Sequence, residues 1–228
     1  MTAPSRSHLD FLQSIDTPTV CNLIEIVAPE RRGFGYTVKH LHCPFPELAP
    51  IVGFAKTVTF KAKDAVPLGQ AGYMQKRLDY LDYVAGSPRP SIMVMEDLDG
   101  EHVGYGAFWG EVQSNVHQAL GCLGTITNGS IRDIPMIPAG FQMLAGSIAP
   151  SHAYVHVVDI GVSVTIHSME VKSGDLIHAD RHGAIVVPID TIDAMQAAAE
   201  KLAATEARII AAAKSGGGVE AIKKALGG

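Results

Sequence analysis

The segment from residue 91 to residue 127 constrains the fold of this chain more than any other. Residues 91–95 (SIMVM) predict a buried strand, residues 111–121 a short helix, and residues 123–127 a second buried strand. Two strands joined by a helix are expected to lie parallel in one sheet, because the crossover returns the chain to the same end. The sequence therefore predicts an α/β fold with a central βαβ unit.

Three charged side chains flank this unit. Glu111 begins the predicted helix after Gly110, and Arg132 and Asp133 follow the second strand. The start of a crossover helix and the loop after the next strand both fall at the carboxyl edge of a parallel sheet. We therefore expect Glu111 to approach Arg132 and Asp133 in space.

The chemistry of these residues suits an anion and a metal ion. Free N–H groups at the start of the helix form an anion site, and the planar guanidinium of Arg132 matches a carboxylate. Asp133 is a hard oxygen ligand of the kind that Mg²⁺ or Mn²⁺ prefers, and Glu111 would act through a water or as a base. The alternative interpretation of Arg132 and Asp133 is a solvated ion pair or a loop cap.

Several short motifs, taken in order, carry a resemblance that covers most of the chain. They are TPTV at 17–20, VGFAKTV at 52–58, AFWGE at 107–111, VKSGDLIHAD at 171–180 and GAIVVP at 183–188. Together they resemble the RraA-like family, which includes class II pyruvate aldolases and the regulator of ribonuclease E activity. The resemblance implies a compact β/β/α swivelling-type domain over residues 1–228. Its N-terminal helices would lie in 1–30 and its C-terminal helical segment in 190–228.

The resemblance also implies roles for individual residues. In the family's aldolases an acidic residue at a helix start precedes an Arg-Asp pair, and Glu111, Arg132 and Asp133 match that spacing. Asp133 would ligate the metal, Arg132 would bind the pyruvate carboxylate, and Glu111 would contact metal-bound or catalytic water. The implied substrate-binding group is Gly110, Glu111, Val112, Gln113 and Arg132.

The implied reaction is cleavage of a carbon–carbon bond beside a 2-oxo acid. Retro-aldol cleavage of a 4-hydroxy-2-oxo acid, or decarboxylation of oxaloacetate, would pass through a pyruvate enolate stabilised by Mg²⁺ or Mn²⁺. No lysine stands in an activated setting within these motifs, which disfavours a Schiff-base route. Asn128 and Met136 depart from residues common in the family. A related enzyme for another 2-oxo or hydroxy acid, and a non-catalytic regulator of a ribonuclease-type partner, therefore remain as alternatives.

Glu206 interrupts an apolar stripe on the predicted C-terminal helix. The stripe comprises Met195, Ala199, Leu202, Glu206, Ile209 and Ala213. A charge within such a stripe is costly unless it is paired, bound to a metal or covered only in part. Because the family's aldolases supply a glutamate from this helix to a neighbouring subunit, the resemblance implies a catalytic Glu206 and a homotrimer or homohexamer with its active site at the subunit interface. The alternative is a glutamate at the edge of the stripe, paired with Arg208 or a nearby lysine.

Histidines alternate with other polar residues in two places. The two sets are His152, Tyr154 and His156, within a predicted strand over residues 151–159, and His178, Asp180 and His182. Alternation would place each set on one face of a strand. Such a pattern resembles a metal cluster, but a polar interface produces it too, and the sequence has no His-Glu-x-x-His helix. A pocket-lining or interface role is the favoured interpretation.

The remaining elements follow from periodicity and from turn residues. In the first part of the chain we predict helices over 9–27 with a break at Thr17-Pro18, a loop over 31–50, a strand over 51–61 and a helix over 71–84. After the central unit we predict short strands near residues 141, 154, 162 and 184 and a helix over 192–213. Residues 215–218 should end that helix and separate it from a short final helix.

Composition narrows the class of protein. The formal charge of −5 and the lack of a basic, aromatic-interleaved patch argue against nucleic acid as the main ligand. Cys21, Cys43 and Cys122 are widely spaced, as expected of reduced thiols in a cytosolic protein. Without a leader-like start or an apolar run of roughly 20 residues, a cytoplasmic protein without membrane contact is expected.

Overall fold

The computed structural model describes residues 3–66 and 69–227 of the chain. Its α-helices are α1 (Arg6–Gln13), α2 (Thr17–Val27), α3 (Gln70–Ala85), α4 (Glu111–Ala119), α5 (Ile192–Lys214) and α6 (Gly218–Gly227). Its strands are β1 (Ile51–Lys61), β2 (Ser91–Asp97), β3 (Ala107–Trp109), β4 (Cys122–Ile131), β5 (Gln142–Ile148), β6 (His156–Ile160), β7 (Val164–Ile166), β8 (Met169–Val171), β9 (Leu176–Asp180) and β10 (Gly183–Val187).

A mixed sheet forms the centre of the molecule. Its main order is β10-β9-β1-β2-β4-β3, and β5 and β6 are added beside β4 and β1. The pairs β1–β2, β2–β4 and β4–β5 are parallel, whereas β9 and β6 are antiparallel to β1. The predicted βαβ unit is confirmed, since α4 connects β3 to β4 and β4 lies parallel to β2.

Two boundaries within this unit differ from the prediction. β4 continues beyond the predicted end at residue 127, because Ser130 and Ile131 pair with Ser147 and Ile148 of β5. The three-residue strand β3 is too short to produce a periodic pattern. α4 ends before Gly121, which adopts a positive φ of 86°, a conformation that glycine tolerates at a helix C-terminus.

Both faces of the sheet are buried. On β2, Ile92 and Val94 pack into a cluster beneath the β7–β8 hairpin, whereas Met93 and Met95 pack toward α3. This explains why β2 reads as a continuous apolar run, since a strand covered on both faces needs no polar alternation.

The terminal helices pack together around a third apolar cluster. Leu12, Val20 and Leu23 of α1 and α2 meet Ile192 and Met195 of α5 within it. The predicted break at Thr17 is confirmed: Asp16 caps α2 by accepting a hydrogen bond from the Thr19 N–H at 2.9 Å. The glycine-rich break between α5 and α6 is also where the sequence predicts it.

The predicted strand over residues 151–159 is wrong in its first half. β6 begins only at His156, and Ala153 adopts a positive φ of 46° within a preceding turn. The Tyr154 N–H donates to the Ala62 carbonyl at 2.9 Å, which anchors this turn to the end of β1. His152, Tyr154 and His156 therefore do not share one face of a strand as the alternation predicted.

Within residues 3–66 and 69–227, none of the helices combines the length and the apolar character needed to cross a bilayer.

Candidate functional site

Arg132 and Asp133 follow β4 directly and turn toward the start of α4. The Arg132 N–H donates to the Trp109 carbonyl at 2.9 Å, which joins the end of β4 to the end of β3. Asp133 then adopts the left-handed conformation, with φ 54° and ψ 33°, which aspartate tolerates better than most residues. This turn directs the Asp133 carboxylate back to α4, where its Oδ2 accepts a hydrogen bond from the Glu111 N–H at 3.3 Å.

Gly110 provides the space for this arrangement. A Cβ at position 110 would lie 2.6 Å from Asp133 Oδ2 and 3.1 Å from Arg132 Cγ. The backbone of Gly110 is extended, with φ −163°, so its conformation is open to any residue. The requirement for glycine is therefore one of space: a side chain here would displace both charged residues.

The guanidinium of Arg132 remains available to a ligand. Its Nε lies 3.7 Å from Asp133 Oδ2, beyond hydrogen-bond distance, and both side chains are 33% exposed. Within the described parts of the chain, this guanidinium donates no hydrogen bond. A planar fork of donors beside a helix N-terminus is well suited to bind a carboxylate.

The first turn of α4 adds backbone donors. The Glu111 N–H is engaged by Asp133, but those of Val112 and Gln113 have no acceptor within the helix. The Glu111 side chain is exposed and forms no ion pair among the described residues. The contact of Glu111 with Asp133 is therefore made by its backbone, and its side chain remains exposed.

A cavity of about 530 Å³ opens beside Arg132. Its walls come from α3, from β3 and the first turns of α4, and from residues 152–157 before and within β6. Its described wall residues include two arginines and two histidines, Arg77, Arg132, His152 and His156. No aspartate or glutamate of the described chain lines it. This charge distribution favours an anionic ligand.

His152 and His156 both line the cavity. Nδ1 of His152 lies 2.7 Å from the Ala153 carbonyl, and Nδ1 of His156 lies 2.8 Å from the Tyr154 carbonyl. Because a carbonyl only accepts, each Nδ1 carries the proton. In the neutral form, Nε2 of each ring is therefore free to accept one.

Tyr80 of α3 and His117 of α4 form a buried hydrogen-bonded pair that the sequence did not indicate. The Tyr80 hydroxyl donates to Nε2 of His117, and Nδ1 of His117 donates to the Gln113 carbonyl at 2.6 Å. Burial lowers the pKa of His117 to about 4 and raises the pKa of Tyr80 well above its ordinary value. The neutral His117 ring therefore fixes the first turn of α4 and links it to α3.

His178 and Asp180 serve the N-terminal helices. The Thr17 hydroxyl lies 3.0 Å from Nδ1 of His178, whose Nε2 lies 3.0 Å from the carbonyls of Leu12 and Ile15. Asp180 Oδ2 accepts a hydrogen bond from the Thr17 N–H at 2.9 Å. These contacts tie the junction of α1 and α2 to β9, so the two residues have a structural role in the chain.

Asn128 also has a structural role. Its Oδ1 accepts from the Asp97 N–H at 2.7 Å, and its Nδ2 donates to the Asp97 carbonyl at 3.1 Å. An aspartate could not make the second bond, because it has no N–H to donate. Asn128, which differs from the residue common in the family, therefore supports the pairing of β2 with β4 and does not line the cavity.

Glu206 lies apart from the cavity within one chain. Its Oε1 accepts a hydrogen bond from Asn22 Nδ2 of α2 at 3.3 Å, and its side chain is exposed. The predicted stripe is buried at Met195 and half-buried at Leu202, but it reaches solvent at Glu206. Within one chain Glu206 therefore lies at the exposed end of the stripe, and its partner is Asn22, not the predicted Arg208 or a lysine, because the second half of α5 extends beyond the apolar cluster.

Lys56 is a buried lysine that the sequence motifs did not single out. Its Nζ donates to the Ser87 carbonyl at 3.0 Å and lies 5.0 Å from the Tyr83 ring centroid, and burial lowers its pKa. It does not line the cavity.

The donors near Arg132 fit a hydrated divalent cation. Among the described residues, no group of three His, Cys, Asp or Glu side chains is placed to hold a metal ion. Mg²⁺ typically keeps several waters and takes one or two protein carboxylates. The partly exposed carboxylate of Asp133 is able to supply one such ligand, and the exposed Glu111 side chain at the adjacent helix start would reach the ion only through a water.

Comparisons with known proteins agree with this fold. Residues 17–186 match the RraA-like family, described as Aldolase/RraA. Protein DlpA of Legionella pneumophila is 22% identical over 185 residues, which is 78% of this chain but only 28% of the length of that relative.

Two solved structures share the fold over most of the chain. An uncharacterized protein from Pseudomonas syringae pv. tomato has a TM-score of 0.73 and 22% identity, covering 98% of this chain and 95% of that one. Streptomyces coelicolor RraAS2, described as an unusual member of the RNase ES inhibitor RraA protein family, has a TM-score of 0.68 and 18% identity, covering 90% and 96%.

Proposed function

Because the chain belongs to the RraA-like (Aldolase/RraA) family, we propose that it is a divalent-metal-dependent lyase that cleaves a carbon–carbon bond beside a 2-oxo acid. The observation that carries this proposal is the guanidinium of Arg132, which donates no hydrogen bond among the described residues and lies at the start of α4, beside the Asp133 carboxylate and at the edge of a cavity whose described wall residues include no aspartate or glutamate. A 2-oxo acid has a carboxylate that an anion site can bind and a keto oxygen that a metal ion on a hard oxygen ligand can polarise.

Arg132 and α4 bind the carboxylate of the substrate in this proposal. The guanidinium donates two parallel hydrogen bonds, and the free N–H groups of Val112 and Gln113 add backbone donors. The buried Tyr80 and His117 pair holds Gln113 and its turn in place. Since these donors are fixed before the ligand arrives, little reorganisation is needed to bind it.

Asp133 would hold Mg²⁺ or Mn²⁺, and Glu111 would contact a water bound to that ion. When bound, such an ion acts as a Lewis acid that polarises a carbonyl oxygen and favours an enolate. In the retro-aldol direction the C4 hydroxyl of the substrate loses a proton as the C3–C4 bond breaks, and C3 then gains one. The exposed Glu111 carboxylate, acting through a water, is the proposed acceptor.

We further propose a homotrimer or homohexamer in which Glu206 of one subunit completes the site of another. Val112 of the cavity wall is 70% exposed, Met136, three residues after Asp133, is 57% exposed, and Ile210 of α5 is 51% exposed. Large apolar side chains left in solvent on two separate surfaces support a contact between copies of the chain.

A second candidate is a non-catalytic regulator that binds a ribonuclease-type partner. The observation that favours it is that a single chain presents one inward carboxylate near Arg132, that of Asp133, because the Glu111 side chain is exposed. Metal-dependent turnover would exclude this candidate as the only activity.

The experiment is the release of pyruvate from oxaloacetate and from 4-hydroxy-4-methyl-2-oxoglutarate with Mg²⁺ or Mn²⁺, and again with EDTA. We expect release above background that EDTA abolishes. Arg132→Ala is expected to lower kcat/KM by about 100-fold, comparable to the loss of one fixed donor to a developing charge. Arg208→Ala, an exposed arginine of α5, serves as the control. No release from either substrate would favour the regulator.

A further inference from the structure

The cavity is much larger than the pyruvate portion of a substrate requires. Its volume of about 530 Å³ falls within the range of roughly 300–1,000 Å³ that holds drug-sized ligands. Pyruvate occupies only the space of several waters, at about 30 Å³ each. With the carboxylate of a 2-oxo acid on Arg132, most of the cavity therefore remains for the rest of the molecule.

The walls of the remaining space are mainly apolar. The apolar wall residues include Tyr73 and Leu81 of α3, Phe108 of β3, Val116 of α4, and Val155 and Val157 around the start of β6. The Tyr80 and Phe108 rings meet edge to face, with centroids 6.0 Å apart. The partly exposed wall residues Tyr73, Leu81, Val116, Val155 and Val157 would stay in contact with water beside a small hydroxylated diacid, whereas a planar apolar group would cover them.

Arg77 places a second cation in the same cavity. Its guanidinium carbon lies 5.8 Å from the ring centroid of Tyr73, one helical turn earlier on α3. Within residues 3–66 and 69–227, no carboxylate lies within ion-pair distance of Arg77. Lys76, the preceding residue, donates to the Val158 carbonyl of β6 and so holds this turn of α3 against the sheet. Arg77 is thus an arginine with free donors on a fixed wall.

We propose that the cavity selects 2-oxo acids whose C4 carries a bulky aromatic group ending in an anion, and that Arg77 is the specificity-determining residue that binds this anion. The inference rests on the proposed lyase function for the bond that is broken. It adds the class of the leaving aldehyde, an aromatic aldehyde with an acidic substituent. Arg132 and Arg77 bind the two ends of the substrate, and the apolar walls bind the ring between them.

A suitable probe is 4-(4-carboxyphenyl)-4-hydroxy-2-oxobutanoate. Its retro-aldol cleavage breaks the C3–C4 bond, and the electron pair of that bond stays on C3. The C4 hydroxyl loses its proton and becomes the aldehyde of 4-carboxybenzaldehyde, while C3 takes up a proton to give pyruvate. Atoms and charges balance without an oxidant or a second substrate.

The kinetic test compares this probe with its phenyl analogue, which lacks the distal carboxylate. We expect the wild-type protein with Mg²⁺ to favour the carboxyphenyl compound by about tenfold or more in kcat/KM, as expected for a charge-assisted hydrogen bond. In Arg77→Gln the preference should fall close to one. In the control Arg208→Gln it should remain. A preference that survives in Arg77→Gln, or that is absent from the wild type, would overturn the assignment.

A binding test separates this inference from the lyase function. Calorimetric titration of 4-(hydroxymethyl)benzoate in EDTA measures the distal part of the cavity without any reaction. We expect saturable binding that Arg77→Gln weakens by about tenfold and Arg208→Gln leaves unchanged. Arg77-dependent binding without turnover of any 2-oxo acid would support the subsite and reject the lyase. Turnover of oxaloacetate, with neither Arg77-dependent binding nor a preference for the aryl acid, would support the lyase and reject the subsite.

Discussion

The Oδ2 atom of Asp133 lies 3.3 Å from the backbone nitrogen of Glu111 and accepts its hydrogen bond. The contact exists because Asp133 adopts a left-handed conformation directly after β4. It places a carboxylate at the positive end of α4, a favourable position for a negative charge. The same carboxylate therefore has two functions, as a helix cap and as the proposed metal ligand.

Asp133→Asn is expected to separate these two functions. The amide oxygen still accepts the hydrogen bond from Glu111, so the melting temperature should change little. Loss of the charged ligand should weaken Mn²⁺ binding and lower metal-dependent pyruvate release by about 100-fold. Titration of Mn²⁺ followed by electron paramagnetic resonance measures the first effect. Wild-type Mn²⁺ affinity in this variant would remove Asp133 from the metal site.

Gly110→Ala is expected to damage activity far more than folding. The added Cβ would lie 2.6 Å from Asp133 Oδ2, so the carboxylate and Arg132 must both shift. The extended backbone at this position accepts alanine without strain. We expect kcat/KM to fall at least about tenfold, since small displacements of positioned groups are costly. Gly33→Ala is the control, because no atom lies within 4 Å of its added Cβ. Equal activity in both variants would contradict the role given to this glycine.

His117 should make the protein less stable in mild acid. Burial lowers its pKa from 6.5 to about 4. Between these two pH values the histidine is protonated in the unfolded chain and neutral in the folded chain. Its contribution to the free energy of unfolding is fully present above about pH 6.5 and is lost as the pH falls toward 4, by at most roughly 3 kcal/mol.

Urea unfolding of the wild type and of His117→Gln at several values between pH 7 and pH 4 measures this contribution. The wild type should lose more stability across this range than the variant, because only the wild type has the titrating ring at position 117. Parallel curves for the two proteins would show that His117 is not held neutral in the folded state.

Glu206→Gln is expected to lower activity if subunits share the site. The amide still interacts with Asn22 within the chain, so folding of the subunit should be unaffected. Metal-dependent kcat/KM should fall by at least about tenfold, as on loss of a group that orients a metal site. Glu200→Gln changes another exposed glutamate of α5 and is the control. An unchanged rate in Glu206→Gln would leave this residue with only its bond to Asn22.

A mixing experiment tests whether the glutamate acts between subunits. The Arg132→Ala and Glu206→Gln proteins, each with lowered activity, are unfolded, mixed and refolded together. If each site combines Arg132 of one subunit with Glu206 of another, some mixed sites contain both wild-type residues and activity should return. Activity that stays at the sum of the two separate variants would place the residues in independent sites.

Strong local patterns predicted much of the fold. The predicted strand from residue 51 to residue 61 and the parallel pair β2–β4 match the structure, because strands buried on both faces are rich in apolar and β-branched residues. The break before α6 followed from glycines that end a helix. Weak patterns failed: β3 is too short to be periodic, and residues 151–155 form a turn that alternation imitates.

The sequence by itself determined that Arg132 and Asp133 would lie near the start of α4, because parallel βαβ connectivity brings those two ends to the same edge of the sheet. Only the tertiary structure decided what surrounds them. Arg77 and His156 are far apart in sequence and meet at one cavity because α3 packs on β6, and Glu206 is exposed because α5 extends past its apolar cluster. Local sequence patterns predict the order of helices and strands and thus how they connect. The residues that line a cavity depend on long-range packing, which the pattern of a single segment does not determine.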